Sequence, residues 1–474
     1  MPCRLWQNDN RKLNSIMVDG QNLELFSYAD GFHLAVKKRV AAVVEVVDST
    51  AMARDGNSNP QNRKSRSRTF FSTIEGWGKF CKSCKEPVLP KAAIIPVSKD
   101  PLTLQYVTQV LLGEKLAPVK LVVDVNGPYL WVDCAYNPLS KSQNPIKSCS
   151  IECSMAKSSA CTMSFGTKSC TLQSENPISR MVTSGNLAQD RISMEFEDGV
   201  NSGFMASIDN FLFSCVPKLS LEGIANGAKG ILGLGNTRIS LPTQIAGTFG
   251  FFQRRFSLCL SSSDGLISLA ESSDVSLLGG EISRSMVYTP LISKPSGAGE
   301  EYKINVKSIK ISGKKLSMNQ ENIGGAKIST TVPYTTMQSK IYGTFVDAYI
   351  KAATSLNISS VAPVAPFGVC FRSKGVENSR MGPNVPIIDL VLQSEMVKWR
   401  IYGRNSMVQV SDEVMCLGFL DGGLNQRAPF VIGGYQLEDY VLEFHLGTSM
   451  LGISSSLLME QRKCSDFKLP KKIS

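Results

Sequence analysis

From about Lys91 onward, apolar residues come in short runs cut by Gly, Pro, Asn and Ser. AAIIPV, TLQYVTQVLL, VKLVVDV, PYLWVD, NFLFSC and KGILGLG follow one another in the first half. Such punctuation predicts mostly antiparallel β-structure and not βαβ units. The second half repeats the texture. YKINVKSIKISGKKL alternates on both sides of Ser312-Gly313, which predicts a hairpin turning there. KWRIYGRNSMVQV and MCLGFLDGG continue the pattern. Helical spacing is sparse. One candidate runs from Thr336 to Leu356, with Ile341, Phe345, Ala348 and Tyr349 near helical spacing, and a shorter one from Leu241 to Ala246. No short-period repeat is visible.

Residues 1–88 differ in texture. They lack alternation, and DGNSNPQNRKSRSR, from Asp55 to Arg68, is polar and basic, as in a linker or a disordered tail. The expected organisation is an atypical extension over 1–88, a first β-rich lobe over 89–287 and a second over 288–474. At 474 residues the chain is too long for one ordinary core. Its 43% hydrophobic and 19% charged residues are those of a globular protein.

Charge changes the picture little. The net +11 is spread along the chain, and no basic helix or aromatic-plus-basic motif accompanies it, so a nucleic-acid partner is not expected. The run Arg63–Arg68 reads as a solvated tail before a nuclear address. No apolar run is long enough to span a membrane, so no membrane association is expected. The first 30 residues hold no apolar block of signal-peptide type, and Val40–Val47 is interrupted by Glu45.

Cysteine pulls the other way. Of 13, Cys3, Cys81 and Cys84 lie early. The other ten are Cys134, Cys149, Cys153, Cys161, Cys170, Cys215, Cys259, Cys370, Cys416 and Cys464. Their spacings do not repeat as zinc knuckles, and His33 and His445 are the only histidines. Disulfides in an oxidising compartment are the better reading, with no metal and no cofactor.

Four ordered segments carry a resemblance. They are LVVDVNGPYLWVDC (from Leu121), KGILGLGNTRISLPTQ (from Lys229), GAKISTTVPYTTMQSKIY (from Gly325) and VIGGYQLEDYVLEFHLGTSMLGI (from Val431). Together they resemble pepsin-like aspartic proteases of the plant branch. KAAIIPVSKDPLTLQY, SGNLAQDRIS, VAPFGVCF and GGYQLED narrow the likeness. The narrower group holds basic 7S globulin, extracellular dermal glycoprotein, and the xylanase and xyloglucan-endoglucanase inhibitors. The resemblance implies a mainly β, two-lobed pepsin-like fold with six-stranded-barrel-like lobes.

Active relatives place Asp-Thr/Ser-Gly at two sites. Their two carboxylates share a proton, one activating water while the other donates to the carbonyl. Here Asp124 is followed by Val125 and Asn126, and the second position holds Ser329, then Thr330 and Thr331. A hydroxyl is far too weak an acid to replace the second carboxylate. Active relatives also carry a Tyr on a flap over the cleft. No Tyr occurs between Tyr136 and Tyr288, and Thr183 to Ile192 reads as a shortened flap. The expected catalytic set is therefore empty, with Asp124 and Ser329 as degenerate positions.

The resemblance further implies a secreted, disulfide-bonded protein with Cys370 bonded to Cys416. The expected function is inhibition of a microbial glycoside hydrolase in plant defence, with Arg427 and Arg404 as candidate partner-binding cations for its paired carboxylates. His445 falls in an expected strand, which disfavours histidine-based inhibition. Alternatives are a residual aspartic endopeptidase, and a seed-storage or small-peptide-binding globulin. The Asn357-Ile358-Ser359 sequon is the chain's only one and is an expected glycosylation site. Two departures stand out. Cysteines are fewer between Cys153 and Cys170 than the group usually carries, and relatives begin with a signal peptide shortly before the segment like Lys91. A mis-assigned first exon is expected, with an intracellular form bearing reduced cysteines as the alternative.

Overall fold

In a computed structural model of the chain, the described residues are 15–18, 21–24, 90–135, 142–156, 169–197, 203–251, 253–270, 282, 285–292, 301–317 and 324–467. The chain divides into two compact units, Met1–Val88 and Leu89–Ser474. In the first, Ser15–Val18 and Gln21–Glu24 form an antiparallel hairpin. The segment from Asp55 to Arg68, Cys3, Cys81, Cys84 and Cys161 lie outside the described residues.

The second unit is mainly β. Each half builds the same local motif around a short loop. In the first half, Ala117–Asp124 runs into residues 125–130 and returns as Trp131–Asp133. Gly230–Gly233 lies between these two strands, parallel to the first and antiparallel to the second. In the second half, Gly324–Ile328 runs into residues 329–334 and returns as Thr335–Met337. Phe430–Ile432 lies between them with the same senses. The strand hosts are near-continuous apolar runs because both faces are covered: Leu121, Val122 and Val123 are all buried. The central strand of the first motif must pass close to the loop. A side chain on Gly233 would collide with the carbonyl oxygens of Gly127 and Tyr129, so that position requires glycine.

The two halves do not fold as separate sheets. A 14-stranded sheet takes strands from both. Arg255–Cys259 pairs with Val441–His445, and Val287–Pro290 with Met450–Ile453. Three smaller sheets of five, four and four strands and a two-stranded one, Asn378–Ser379 with Gly382–Pro383, lie in the second half. One buried cluster includes Val123, Val132 and Phe256 from the first half and Ile328, Phe430 and Phe444 from the second.

The hairpin expected at Ser312-Gly313 is present. Ile311 faces Lys314, and Ser312 and Gly313 have φ of 46° and 80°, as a two-residue primed turn requires. The long helix is Ser339–Ser355, burying Ile341, Phe345, Tyr349 and Ala353. It starts later than the periodicity predicts because Thr335–Met337 is claimed by the sheet. The shorter helix extends over Leu241–Phe249 and is stopped by Gly250 in the left-handed region, φ 71°. Among the described residues no helix is long and apolar enough to cross a membrane.

Candidate functional site

The loops of the two motifs face each other and are tied by side chains. Thr330 donates from Oγ1 to the Val123 carbonyl at 2.7 Å and accepts the Val125 N–H at 3.2 Å. From the other side Asn126 donates from Nδ2 to the Ile328 carbonyl at 2.7 Å. Val123 precedes Asp124 and Ile328 precedes Ser329, so each loop grips the other at the equivalent carbonyl. Val125 has no hydroxyl to do this. Asn126, where active relatives have glycine, does it instead, and its Oδ1 also accepts the Tyr302 N–H at 2.8 Å. Tyr302 closes the frame by donating its hydroxyl to the Leu234 carbonyl at 2.9 Å.

Asp124 and Ser329 occupy matching positions at the ends of matching strands. Asp124 is buried, and its Oδ1 accepts the Asn126 N–H at 2.9 Å. Burial pushes its carboxyl above the ordinary aspartate range, against the pull of that bond and of the Lys327 charge. Ser329 is 1% exposed. Its Oγ accepts the N–H groups of Thr331 at 3.3 Å and Val332 at 3.2 Å, and lies 3.2 Å from the Thr331 hydroxyl. The second loop thus begins with a hydroxyl that closes its own turn. A serine hydroxyl does not titrate near the range of an aspartate, so Ser329 is no substitute for a proton-sharing carboxylate. The nearby Glu301 is engaged elsewhere: it bridges Lys303 and Lys327, both at 2.6 Å, which holds it down at about 2 in spite of burial.

The segment from Thr183 to Ile192, expected as a shortened flap, is part of a β-hairpin. It belongs to a 16-residue strand, Val182–Glu197, that pairs with Thr171–Glu175 around a turn at 176–181. The turn is pinned: Asn176 Nδ2 donates to the carbonyls of Ser220 at 2.9 Å and Glu222 at 2.8 Å. Thr183 and Ser220 hydroxyls meet at 2.7 Å. The period-two signal of the return strand is weak at its start because the inward positions carry Thr183 and a buried Gly185 in place of large apolar side chains, between exposed Val182, Ser184 and Asn186.

Four disulfides join Cys134 to Cys215, Cys153 to Cys170, Cys259 to Cys464 and Cys370 to Cys416. Cys149 is also disulfide-bonded. Arg427 is exposed in the loop between Phe419–Asp421 and Phe430–Ile432. That loop is held from inside: Gln426 Nε2 donates to the Ala428 carbonyl at 2.7 Å, and the Gln426 carbonyl accepts from Gln338 at 2.9 Å. Arg404 is exposed in a short helix, Gly403–Ser406, with Nη2 at 3.3 Å from the Ser262 hydroxyl. The two arginines therefore sit on separate elements. Asn357 is exposed just past the long helix at φ 59°. His445 lies in a strand, 3.2 Å from Glu443, which Arg255 and Tyr288 also engage.

Two groups escaped the sequence reading. Asn126 could not be recognised because its partners are more than 170 residues away. Lys99, partly buried, and buried Glu438 pair at 2.6 Å and join the strand Ala92–Lys99 to the segment just before Val441–His445. The Tyr106 hydroxyl also donates to Glu438, at 3.0 Å.

Two matching strand–loop units that grip each other through Thr330 and Asn126 define the class: a two-lobed, pepsin-like aspartic-protease fold. Two family models match, described as "Xylanase inhibitor N-terminal" over residues 106–269 and "Xylanase inhibitor C-terminal" over 301–455. The chain is 42% identical over 406 residues to a "Probable aspartic proteinase GIP2" of Nicotiana benthamiana, covering 80% of this chain and 92% of that one. It is 37% identical over 395 residues to a "Gamma conglutin 1" of Prunus dulcis, covering 80% and 90%. Among solved structures it is similar to the crystal structure of edgp, with a TM-score of 0.75 at 40% identity, covering 82% of this chain and 100% of that one. The soybean basic 7S globulin structure gives 0.70 at 31%, covering 80% and 99%. The chain belongs to the plant family of basic 7S globulins, extracellular dermal glycoproteins and xylanase and xyloglucan-endoglucanase inhibitors.

Proposed function

We propose that the protein is a proteolytically inactive aspartic-protease-like binder that inhibits a microbial glycoside hydrolase of the xylanase or xyloglucan-endoglucanase class. The observation that carries the reading is Ser329. The interlobe frame is kept by Thr330 and Asn126, while the position of the second carboxylate holds a hydroxyl spent on its own turn. A fold kept without its proton-sharing pair suits binding better than hydrolysis. The match to xylanase-inhibitor models over both halves supports the partner class.

Arg427 is the cation we assign to the glycosidase carboxylates. Its loop is pre-organised by Gln426 and Gln338, which lowers the ordering cost of docking. Leu424, 72% exposed in the same loop, adds apolar contact area. Arg404 is the second candidate. Four disulfides support an extracellular location, since such bonds persist in oxidising compartments.

The test is a titration of the full chain against xylanases and a xyloglucan-specific endoglucanase, with Arg427→Ala and Arg404→Ala alongside. Sub-micromolar inhibition that weakens at least about tenfold in Arg427→Ala is expected; the loss of one desolvated charge pair is worth roughly 2–5 kcal/mol. No inhibition at micromolar protein sinks the inhibitor reading and leaves a storage or peptide-binding globulin. Pepstatin-sensitive cleavage of casein at acidic pH sinks the inactive reading.

A further inference from the structure

The loop that carries Arg427 would be slack by its own sequence. Gly422 and Gly423 are adjacent, and glycine gives up more backbone freedom on ordering than any other residue. Gly423 has φ 83°, the left-handed region that favours glycine. A side chain on Gly422 would collide with the Gln426 side-chain oxygen and dislodge that amide. The pair must therefore be ordered by bonds from outside it.

The junction between Thr335–Met337 and the long helix supplies those bonds at both ends of the loop. At the far end, the Gln338 N–H donates to the Pro429 carbonyl at 3.0 Å, and its side chain donates to the Gln426 carbonyl at 2.9 Å. At the near end, the Gly422 N–H donates to the Met337 carbonyl at 2.7 Å, and the Ser339 N–H to the Gly423 carbonyl at 3.4 Å.

One side chain clamps the near end further. Asp421 closes the strand Phe419–Asp421, and its Oδ1 accepts the Ser339 hydroxyl at 2.7 Å and the Gly423 N–H at 2.9 Å. The first bond reaches 82 residues along the chain, so it is no local turn contact. Ser339 opens the helix Ser339–Ser355, whose first turn holds no acidic residue and whose capping residue, Gln338, makes no side-chain bond to the helix. Asp421 thus brings a carboxylate to the positive end of that helix from another strand. The helix is a rigid anchor, and through it the slack glycine pair is fixed.

Between the clamps Leu424, Asn425 and Arg427 stay exposed. Among the described residues Arg427 has no ion pair and no hydrogen bond, so the backbone of the loop alone sets where its guanidinium is offered.

Resting on the reading of Arg427 as the cation that meets the hydrolase carboxylates, we propose that Asp421 is the positioning residue of that site. Its carboxylate holds the glycine pair through Ser339 and the Gly423 N–H, and Arg427 is presented in its docking geometry before the partner arrives. Asp421 acts through the loop and not on the partner. Pre-organisation of this kind lowers the ordering cost of association and is read mainly in the dissociation rate.

The experiment uses the full chain and the variants Asp421→Ala, Asp421→Asn, Arg427→Ala and Asp421→Ala/Arg427→Ala. The first readout needs no hydrolase. Amide hydrogen exchange over residues 422–428 is expected to quicken about tenfold in Asp421→Ala, from two lost bonds of ordinary net strength, with the rest of the second half unchanged. Asp421→Asn keeps an acceptor oxygen with the same loss of charge, so it restores exchange to within about threefold. The second readout is inhibition of a xylanase or xyloglucan-specific endoglucanase. Asp421→Ala is expected to dissociate about tenfold faster, Asp421→Asn to recover most of that loss, and Asp421→Ala to cost nothing more once Arg427 is alanine. Unchanged loop exchange in Asp421→Ala overturns the proposal alone. Exchange quickened throughout the second half, or equal loss in the Ala and Asn variants, overturns it in favour of a general structural or charge effect. Undiminished inhibition by Arg427→Ala sinks the Arg427 reading and the proposal with it.

Discussion

Replacing Asn126 by alanine tests the central claim about the interlobe frame. The side chain is 9% exposed and makes two bonds across the halves, at 2.7 Å to the Ile328 carbonyl and 2.8 Å from the Tyr302 N–H. Alanine removes the donor to one and the acceptor of the other. Each lost partner of a buried group costs about 1–3 kcal/mol, and partial access of water keeps the sum at roughly 2–4 kcal/mol. Urea unfolding followed by tryptophan fluorescence reads the change, because Trp131 and Trp399 report from the two halves at 2% and 1% exposure. A shifted midpoint with an unchanged slope is expected for both reporters. Asn126→Asp is the control. It keeps an acceptor for Tyr302 but turns an oxygen toward the Ile328 carbonyl and adds a charge beside Asp124. It should be worse than alanine at neutral pH and should recover in acid. A loss below about 1 kcal/mol for Asn126→Ala would refute the reasoning, since a net hydrogen bond alone is worth that much.

Further outcomes follow from other groups. Burial raises the Asp124 pKa, so the folded state holds its proton more tightly than the unfolded chain. Asp124 therefore costs stability above its unfolded value of 3.8, and Asp124→Asn should stabilise at neutral pH with the gain vanishing below that value, as read by melts across pH. Glu301 has the opposite sign: its folded value of about 2 lies below the unfolded 4.5, so Glu301→Gln should destabilise at neutral pH, and the deficit should fade as pH falls through that window. Removing Cys259–Cys464, which spans 205 residues, should cost roughly 5 kcal/mol, against roughly 3 for Cys153–Cys170, which spans 17; unfolding of the two double-alanine variants checks the order. Expression through a plant secretory pathway should give a glycosidase-removable mass that Asn357→Gln abolishes.

Much of the β-framework was legible because each strand advertises itself over a few residues. Ser312-Gly313 set its hairpin, and Ile341, Phe345 and Tyr349 set the long helix. The site was half legible. Asp124 and Ser329 could be placed by their flanking patterns, but the meaning of Asn126 depends on a carbonyl 202 residues away, which no local pattern encodes. The extent of the strand Val182–Glu197, beyond the shortened flap expected over Thr183 to Ile192, was not legible for a related reason. Its length is fixed by partners on several other strands, and not by its own alternation.

Closure of the sheet through Arg255–Cys259 and Val441–His445 bears on how the chain is made. The first half leaves the ribosome well before its pairing strand exists, and Cys259 waits for Cys464 near the far terminus. An exposed apolar edge must therefore be sheltered while roughly the last two fifths of the chain is translated. The same threading means that the two xylanase-inhibitor segments are not exchangeable cassettes. Grafting one half onto a homologue's other half would transplant part of a sheet that its own last strands complete.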